Sequence, residues 1–258
     1  MPPETTGSGD PDQTLRLLWR DQVPPSRRRG PRPSHSVDDV VAAAIELADA
    51  EGMEAVTIRA VATRLGISPM SVYTHVPGKA ELLDLMLDGL YLAMPRPPWR
   101  SRRWRTRLTA VVVANRDLFR AHPWLTELAS LSRPPLGPGQ LAKYEHELAA
   151  FDGTGLGDVQ IDATLTLLLG FAQQQTRAEY AAARQSAVSG TSDEQWWETN
   201  GPLLAQVIDA STYPRATRIG EAAGAAQGSA YSPDRAWAFG LARLLDGIGT
   251  LIDPDGAG

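Results

Sequence analysis

The stretch Leu65-Gly66-Ile67-Ser68-Pro69-Met70-Ser71-Val72 decides how this chain is read. Glycine takes positive φ without a steric penalty, so Gly66 marks a place where one helix stops and the backbone turns sharply. Ser68 then restarts the chain as an N-cap, and Pro69 takes the first helical position, where a missing N–H costs nothing. Ile67, the apolar residue between them, fills the angle between the two helices. A helix, a glycine turn and a second helix make the arrangement that lays a reading helix in a DNA major groove.

The flanks extend the pattern. Ser36 caps a first helix, with Asp39 reaching back three residues later as a short capping box. Val37, Val40, Val41, Ala44, Leu47 and Ala48 line one face of that helix, and Gly52 closes it. Thr57 caps the second helix, whose stripe is Ile58, Val61 and Leu65, with Arg59 and Arg64 outside. In the third helix Val72 and Val76 anchor the inner side and turn Met70, Ser71, Tyr73, Thr74 and His75 outward. Pro77-Gly78 ends it, and Leu82, Leu83, Met86, Leu87 and Leu90 mark a fourth helix running toward Met94.

At these residues the chain resembles the TetR family of one-component repressors. The likeness rests on Thr57-Ile58-Arg59-Ala60-Val61-Ala62, Leu65-Gly66-Ile67-Ser68, Val72-Tyr73-Thr74-His75-Val76 and Lys79-Ala80-Glu81-Leu82-Leu83. His122-Pro123-Trp124-Leu125 and Ser132-Arg133-Pro134-Pro135-Leu136-Gly137 extend it more loosely into the rest of the chain. The resemblance implies a DNA-binding module, a connecting helix and a helical ligand domain. It also implies a homodimer on a double-stranded DNA operator, released by a small-molecule effector.

Composition agrees with a globular regulator. The 258 residues contain no cysteine. No apolar run reaches the roughly 18 residues of a membrane span, and no signal peptide stands at the N-terminus. A cytoplasmic protein without membrane association, cofactor or metal is expected. The net charge of −5 speaks against a surface coated in basic residues. Within 36–94 the acids Asp38, Asp39, Glu46, Asp49, Glu51, Glu54, Glu81, Asp84 and Asp88 outnumber Arg59, Arg64 and Lys79, the main electrostatic objection to DNA binding. Two arginine clusters offset it: Arg27, Arg28, Arg29 and Arg32 before the module, and Arg96, Arg100, Arg102, Arg103, Arg105 and Arg107 after it. The first reads either as an arm along phosphates or as a solvated linker.

No segment alternates with the two-residue period of a strand, so the fold class is all-α. Residues 1–34 read as a flexible basic arm, with 1–12 disordered and Leu15, Leu17, Leu18 and Trp19 either a short amphipathic turn docking on the body or part of the same disorder. Residues 35–94 form the helix-turn-helix domain with its connecting helix, and 95–253 the ligand-binding and dimerisation domain. In that last region Leu108, Val112, Asn115 and Phe119 form one stripe. Ile161, Leu165, Leu168, Leu169 and Ala172 form a second, and Trp237, Leu241, Leu244, Leu245 and Ile248 a third. The last two are suited to a four-helix dimer interface or to an intramolecular core. The run Gly220–Ser229 reads as a mobile loop.

Phosphate contacts position a DNA-reading protein, and base contacts specify its site. Thr57, Arg59, Tyr73, His75 and Lys79 are assigned to the backbone; Ser68, Met70, Ser71 and Thr74 to base edges, where hydroxyls and a thioether suit the groove. Each also has an ordinary role in packing, capping or solvation. Polar or aromatic residues set into apolar helix faces are the effector candidates: Asn115, Phe119, His122, Trp124, Phe171, Gln174, Gln175 and Trp197, with Met86 and Leu90 nearest the DNA module. A helical enzyme acting on a small apolar molecule through His122, His146, Glu127 and Glu145 is one rival reading, and a DNA-binding regulator without effector is the other. No HExxH, phosphate loop or metal-ligand spacing supports the enzyme, and no catalytic residue is assigned.

Overall fold

The computed structural model describes residues 6–22, 35–131 and 133–253. Among them every regular element is helical. The order is α1 (Pro11–Leu18), α2 (Val37–Glu51), α3 (Ile58–Leu65), α4 (Pro69–Tyr73), α5 (Lys79–Ala93), α6 (Trp104–Ala121), α7 (Leu125–Leu128) and α8 (Pro138–Leu148), which continues into a 3-10 turn at Ala149–Phe151. Then come α9 (Asp158–Ser189), α10 (Asp193–Val207), α11 (Pro214–Gln227) and α12 (Pro233–Ile252). The basic arm at 27–32 lies outside the described residues.

Local chemistry sets the boundaries in the module. The Ser36 hydroxyl accepts the Asp39 N–H and the Asp39 carboxylate accepts the Ser36 N–H, completing the capping box of α2. Hydrogen bonding to Ser36 holds the Asp39 carboxyl below its ordinary value. Thr57 caps α3, Gly66 ends it at φ +68°, and Ser68 caps α4. Val40, Ala44, Val61, Val72 and Val76 are buried, so α2, α3 and α4 close on one core. Ile58 and Leu65, expected inside, are only half-buried because α3 is two turns long and its ends face solvent.

Helix α5 is the spine of the first compact unit, Met1–Gln173. One side packs on α2 and the other on α8 and α1. Its face carries Glu81, Asp84 and Asp88, three or four residues apart and all buried. Each carboxylate accepts backbone N–H groups from another segment. Glu81 takes Asp10 N–H at 3.1 Å, Asp84 takes Gly7 N–H at 3.0 Å, and Asp88 takes Gly139 and Gln140 N–H at 3.1 and 2.8 Å. Asp88 thereby caps α8 from another helix, supplying the anion that the N-terminal N–H groups attract. The approach is close: a Cβ on Gly139 would lie 2.0 Å from the Asp88 carbonyl oxygen.

The stretch before α1 departs from the expected disorder, while the docking of Leu18 and Trp19 follows one of the two readings of that turn. Thr6–Asp12 is placed against the body, and α1 docks on α5. Leu18 is buried, Trp19 Nε1 donates to Leu136 O at 2.8 Å, and Arg20 pairs with Asp38 of α2. Composition favoured disorder, but the N–H groups of Gly7 and Asp10 find buried acceptors that a sequence pattern does not reveal.

The second unit, Gln174–Gly258, holds the rest of α9 with α10, α11 and α12. Here the stretch from Gly220 is helical to Gln227, not a loop. Its alanines favour helix, and each glycine costs only about 1 kcal/mol. Gly224 faces Trp197, whose ring would lie 2.7 Å from a Cβ there. The face Trp237, Leu241, Leu245 and Ile248 is buried within the single chain, while Phe239 and Leu251 remain exposed. Leu244, expected on the buried face, is half-buried.

Two outcomes test this packing. Gly139→Ala forces the α5–α8 crossing apart and is expected to cost ~2 kcal/mol or more, measured by urea unfolding. Burial, reinforced by the Glu81 and Asp88 charges, pushes the Asp84 carboxyl up to about 6. Because the folded value exceeds the unfolded one, its contribution is full in acid and is lost as pH rises through about 6. Asp84→Asn should therefore melt higher than the wild type near pH 8, and the gap should close toward pH 4.

Candidate nucleic-acid interface and ligand cavity

The outer side of α4 is where the residues assigned to base edges gather. Met70 is 71% exposed and Tyr73 47%, while Val72 and Val76 beneath them are fully buried. Ser68 and Thr74 are exposed and Ser71 half-buried. Their hydroxyls form a chain: Ser68 Oγ and Ser71 Oγ are 3.0 Å apart, and Thr74 Oγ1 donates to Ser71 O at 2.6 Å. Thr74 thus keeps acceptor capacity, which suits an exocyclic amine on a base edge. Thr57 sits at the N-cap of α3 and Arg59 is exposed at the second position of that helix; His75 follows α4, and Lys79 opens α5.

Seen in three dimensions, the acid excess is largely committed elsewhere. Asp39 is in its capping box, Glu46 binds Arg64 at 2.9 Å, Asp38 pairs with Arg20, and the three acids of α5 are buried. Asp49 accepts Trp124 Nε1 at 2.7 Å and lies 2.8 Å from His122 Nδ1. The second arginine cluster is likewise partly structural. Arg107 is buried, with Nε donating to Ala150 O at 2.7 Å and Nη1 to Ser101 O and Arg102 O. Arg96 donates to Tyr91 O and Leu92 O at the end of α5. Both arginines satisfy orphan carbonyls.

A cavity of about 300 Å³ opens beside the end of α5. Its walls come from Tyr91 of α5, Asn115 and Phe119 of α6, then Ala129, Ser130, Leu131, Pro134 and Leu136, Gln140, Leu141, Lys143 and Tyr144 of α8, and Asp162, Leu165, Thr166, Leu169 and Gln173 of α9. Its polar centre is a relay. Lys143 Nζ donates to Glu147 Oε2 at 2.8 Å, and both side chains are almost wholly buried. Asn115 Nδ2 donates to Glu147 Oε1 at 2.6 Å and to Val111 O at 2.9 Å. The Lys143 ammonium also lies 5.1 Å from the Tyr91 ring centroid, a cation–π distance. Burial, aided by the Glu147 and Asp88 charges, pushes the Tyr91 hydroxyl well above its ordinary value, so it stays a donor. Tyr144 donates to Asp162 at 2.7 Å on the exposed side.

Of the ligand candidates named from sequence, Asn115 and Phe119 line this cavity. Met86 is fully buried core, Leu90 is half-buried on α5 outside the lining, and His122 and Trp124 hold Asp49 of α2. Phe171 is half-buried on α9, also outside the lining. Gln174, Gln175 and Trp197 belong to the second unit, where Trp197 packs on Gly224. Gln173 anchors α9 by donating to Thr126 O and Ala129 O. Of the histidines and acids posed for acid–base chemistry, His146 is stacked on Trp99 at 4.5 Å and His122 is tied to Asp49, so each has its own structural partner. Sequence reasoning missed Tyr91, Gln140, Lys143, Tyr144 and Asp162. Lys143-x-x-x-Glu147 was a visible four-residue pair, but charged pairs at that spacing usually face water. A separate hollow of about 340 Å³ under α1, lined by Leu15, Leu18, Asp84 and Pro134, holds less polar chemistry.

Comparison with known proteins gives this geometry its context. Residues 40–86 match the model for bacterial regulatory proteins of the tetR family, and residues 97–252 that for the tetracyclin repressor-like C-terminal domain. The HTH-type transcriptional repressor DrrR1 of Streptomyces coeruleorubidus is 36% identical over 251 residues, 96% of this chain and 89% of that protein. The Streptomyces coelicolor TetR family protein ActR, solved with (S)-DNPA, is 26% identical with a TM-score of 0.67, covering 83% of this chain and 97% of ActR. ActR solved with actinorhodin superposes with a TM-score of 0.71 at 24% identity, covering 85% of this chain and 97% of ActR. The helix-turn-helix and the helical region behind it are thus matched in both sequence and fold, and the chain belongs to the TetR family of bacterial transcriptional regulators.

Proposed function

We propose that this chain is a ligand-responsive repressor that binds a palindromic operator as a homodimer and leaves it when a small molecule fills the cavity beside α5. One observation carries the reading. Helix α5 begins at Lys79, directly after the α4 reading segment, and brings Tyr91 to the cavity wall near its other end. A ligand that displaces Tyr91 or α8 therefore acts on the element that carries the reading helix. The relatives support both halves: DrrR1 is a named repressor, and ActR has been solved with two small molecules.

One short reading helix grips too few base pairs for firm binding, so two copies on paired half-sites are the expected form. The exposed Phe239 and Leu251 of α12 are apolar groups suited to such a contact. In the groove, Ser71 and Thr74 read base edges, with Ser68 and Met70 beside them. Arg59, Tyr73, His75, Lys79 and Thr57 hold phosphates. Relief of DNA binding by a hundredfold requires about 2.7 kcal/mol of coupling, and by linkage operator DNA must weaken ligand binding by the same factor.

Footprinting on the DNA flanking the gene for this chain, across a salt series, tests the assignment. Ser71→Ala and Thr74→Ala should each lose about 1–3 kcal/mol of preference for the protected site over random DNA. Arg59→Ala should weaken binding to all sequences and lower the salt slope by about one. A protein that protects no site at moderate ionic strength, or whose α4 variants behave as wild type, is not a regulator of this kind.

A further inference from the structure

Resting on the reading of the α5 cavity as the effector site, we infer that the effector is an uncharged molecule carrying carbonyl oxygen, selected against anions by the Lys143–Glu147 pair. Among the described residues that line the cavity, Lys143 is the one cation, and Glu147 behind it already neutralises that charge at 2.8 Å. Removing an anion from water calls for a compensating charge, and the buried end of the cavity has none to give. What it offers instead is hydrogen bonding. An ammonium has three N–H donors. One of Lys143 goes to Glu147, so N–H capacity remains for a carbonyl oxygen of a ligand.

Asn115 supplies the complement. Both protons of its amide nitrogen are engaged, by Val111 O and Glu147, so its oxygen is left to accept from a ligand O–H or N–H. Around this donor and acceptor the walls are Phe119, Leu131, Leu165, Leu169 and the Tyr91 ring. Apolar walls bury the body of a ligand while the fixed polar groups set its orientation. The volume of about 300 Å³ holds a small polycycle. Glu147 is the positioning residue in this scheme: it orients Lys143 and cancels its charge without lining the cavity.

A matched pair of probes isolates charge from shape: anthraquinone-2-carboxamide and anthraquinone-2-carboxylate, titrated into the full-length protein by calorimetry at neutral pH. The carboxamide is expected to bind at least about tenfold more tightly, the scale of one hydrogen bond to a charged group. Glu147→Gln keeps the acceptor for Asn115 but unmasks the lysine, and should reverse the preference in favour of the carboxylate. The double variant Lys143→Met with Glu147→Gln has no buried charge; it should lose about tenfold for the carboxamide and still reject the carboxylate. Equal or tighter binding of the carboxylate by the wild type overturns the inference, as does no binding of either probe or an unchanged ratio in a folded Glu147→Gln protein. The wild-type ratio decides even where a variant fails to fold. Operator release is read in parallel by fluorescence anisotropy. Tight carboxamide binding without release refutes the repressor mechanism while leaving the ligand class standing; operator binding without probe binding does the reverse.

Discussion

Three buried carboxylates on one helix hold the first unit together. Glu81, Asp84 and Asp88 lie on a single face of α5 and accept backbone N–H groups from two other segments: Glu81 and Asp84 from the N-terminal stretch at Asp10 and Gly7, and Asp88 from the start of α8. Burying carboxylates is costly, as the raised Asp84 and Asp88 values record. The cost is offset because the same oxygens satisfy N–H groups that would otherwise be orphaned at a helix start and in an irregular segment. The acid ladder therefore fixes where α8 begins and where α1 sits. Since α8 carries Lys143, Tyr144 and Glu147, it also fixes the polar centre of the cavity.

That arrangement sets one helix between the α4 segment and the cavity. Its first residue follows the reading segment, its acids clamp α8 and α1, and Tyr91 reaches the cavity near its C-terminal end. The N-terminal segment joins the same circuit, because Trp19 donates to the carbonyl of Leu136 before α8 and Thr6 to that of Leu128 at the end of α7. Through Arg20 it also touches Asp38 of α2. Packed helices shift as bodies rather than deform, and these contacts join the elements around the cavity to the module.

The electrostatics follow a similar logic. An acidic module is a poor DNA binder if its charges face the duplex. Here Asp38, Asp39, Glu46 and Asp49 are bound to partners within the chain, and the acids of α5 are inside. Net charge counts residues without direction, whereas binding depends on the local field. Arg107 makes the converse point. It belongs by sequence to a basic cluster, yet its guanidinium is enclosed by backbone carbonyls and offers nothing to phosphate.

The amino-acid order alone determined the helix class and the module, because caps, the glycine turn and three- and four-residue spacing act over a few residues and leave local marks. Ser36 with Asp39, Thr57, Gly66 and Ser68 are all instances of that. It misread Gly220–Gln227, where glycine content hid a helix whose small residue Gly224 accommodates Trp197. It named Asn115 and Phe119 for the cavity but passed over Lys143, Tyr91 and Asp162, and it set His122 and Trp124 where Asp49 holds them instead. Only the tertiary structure decided which side chains share a cavity and which charges are enclosed. Both depend on contacts between residues far apart in the chain, and helical periodicity says which face is apolar but not what that face will meet.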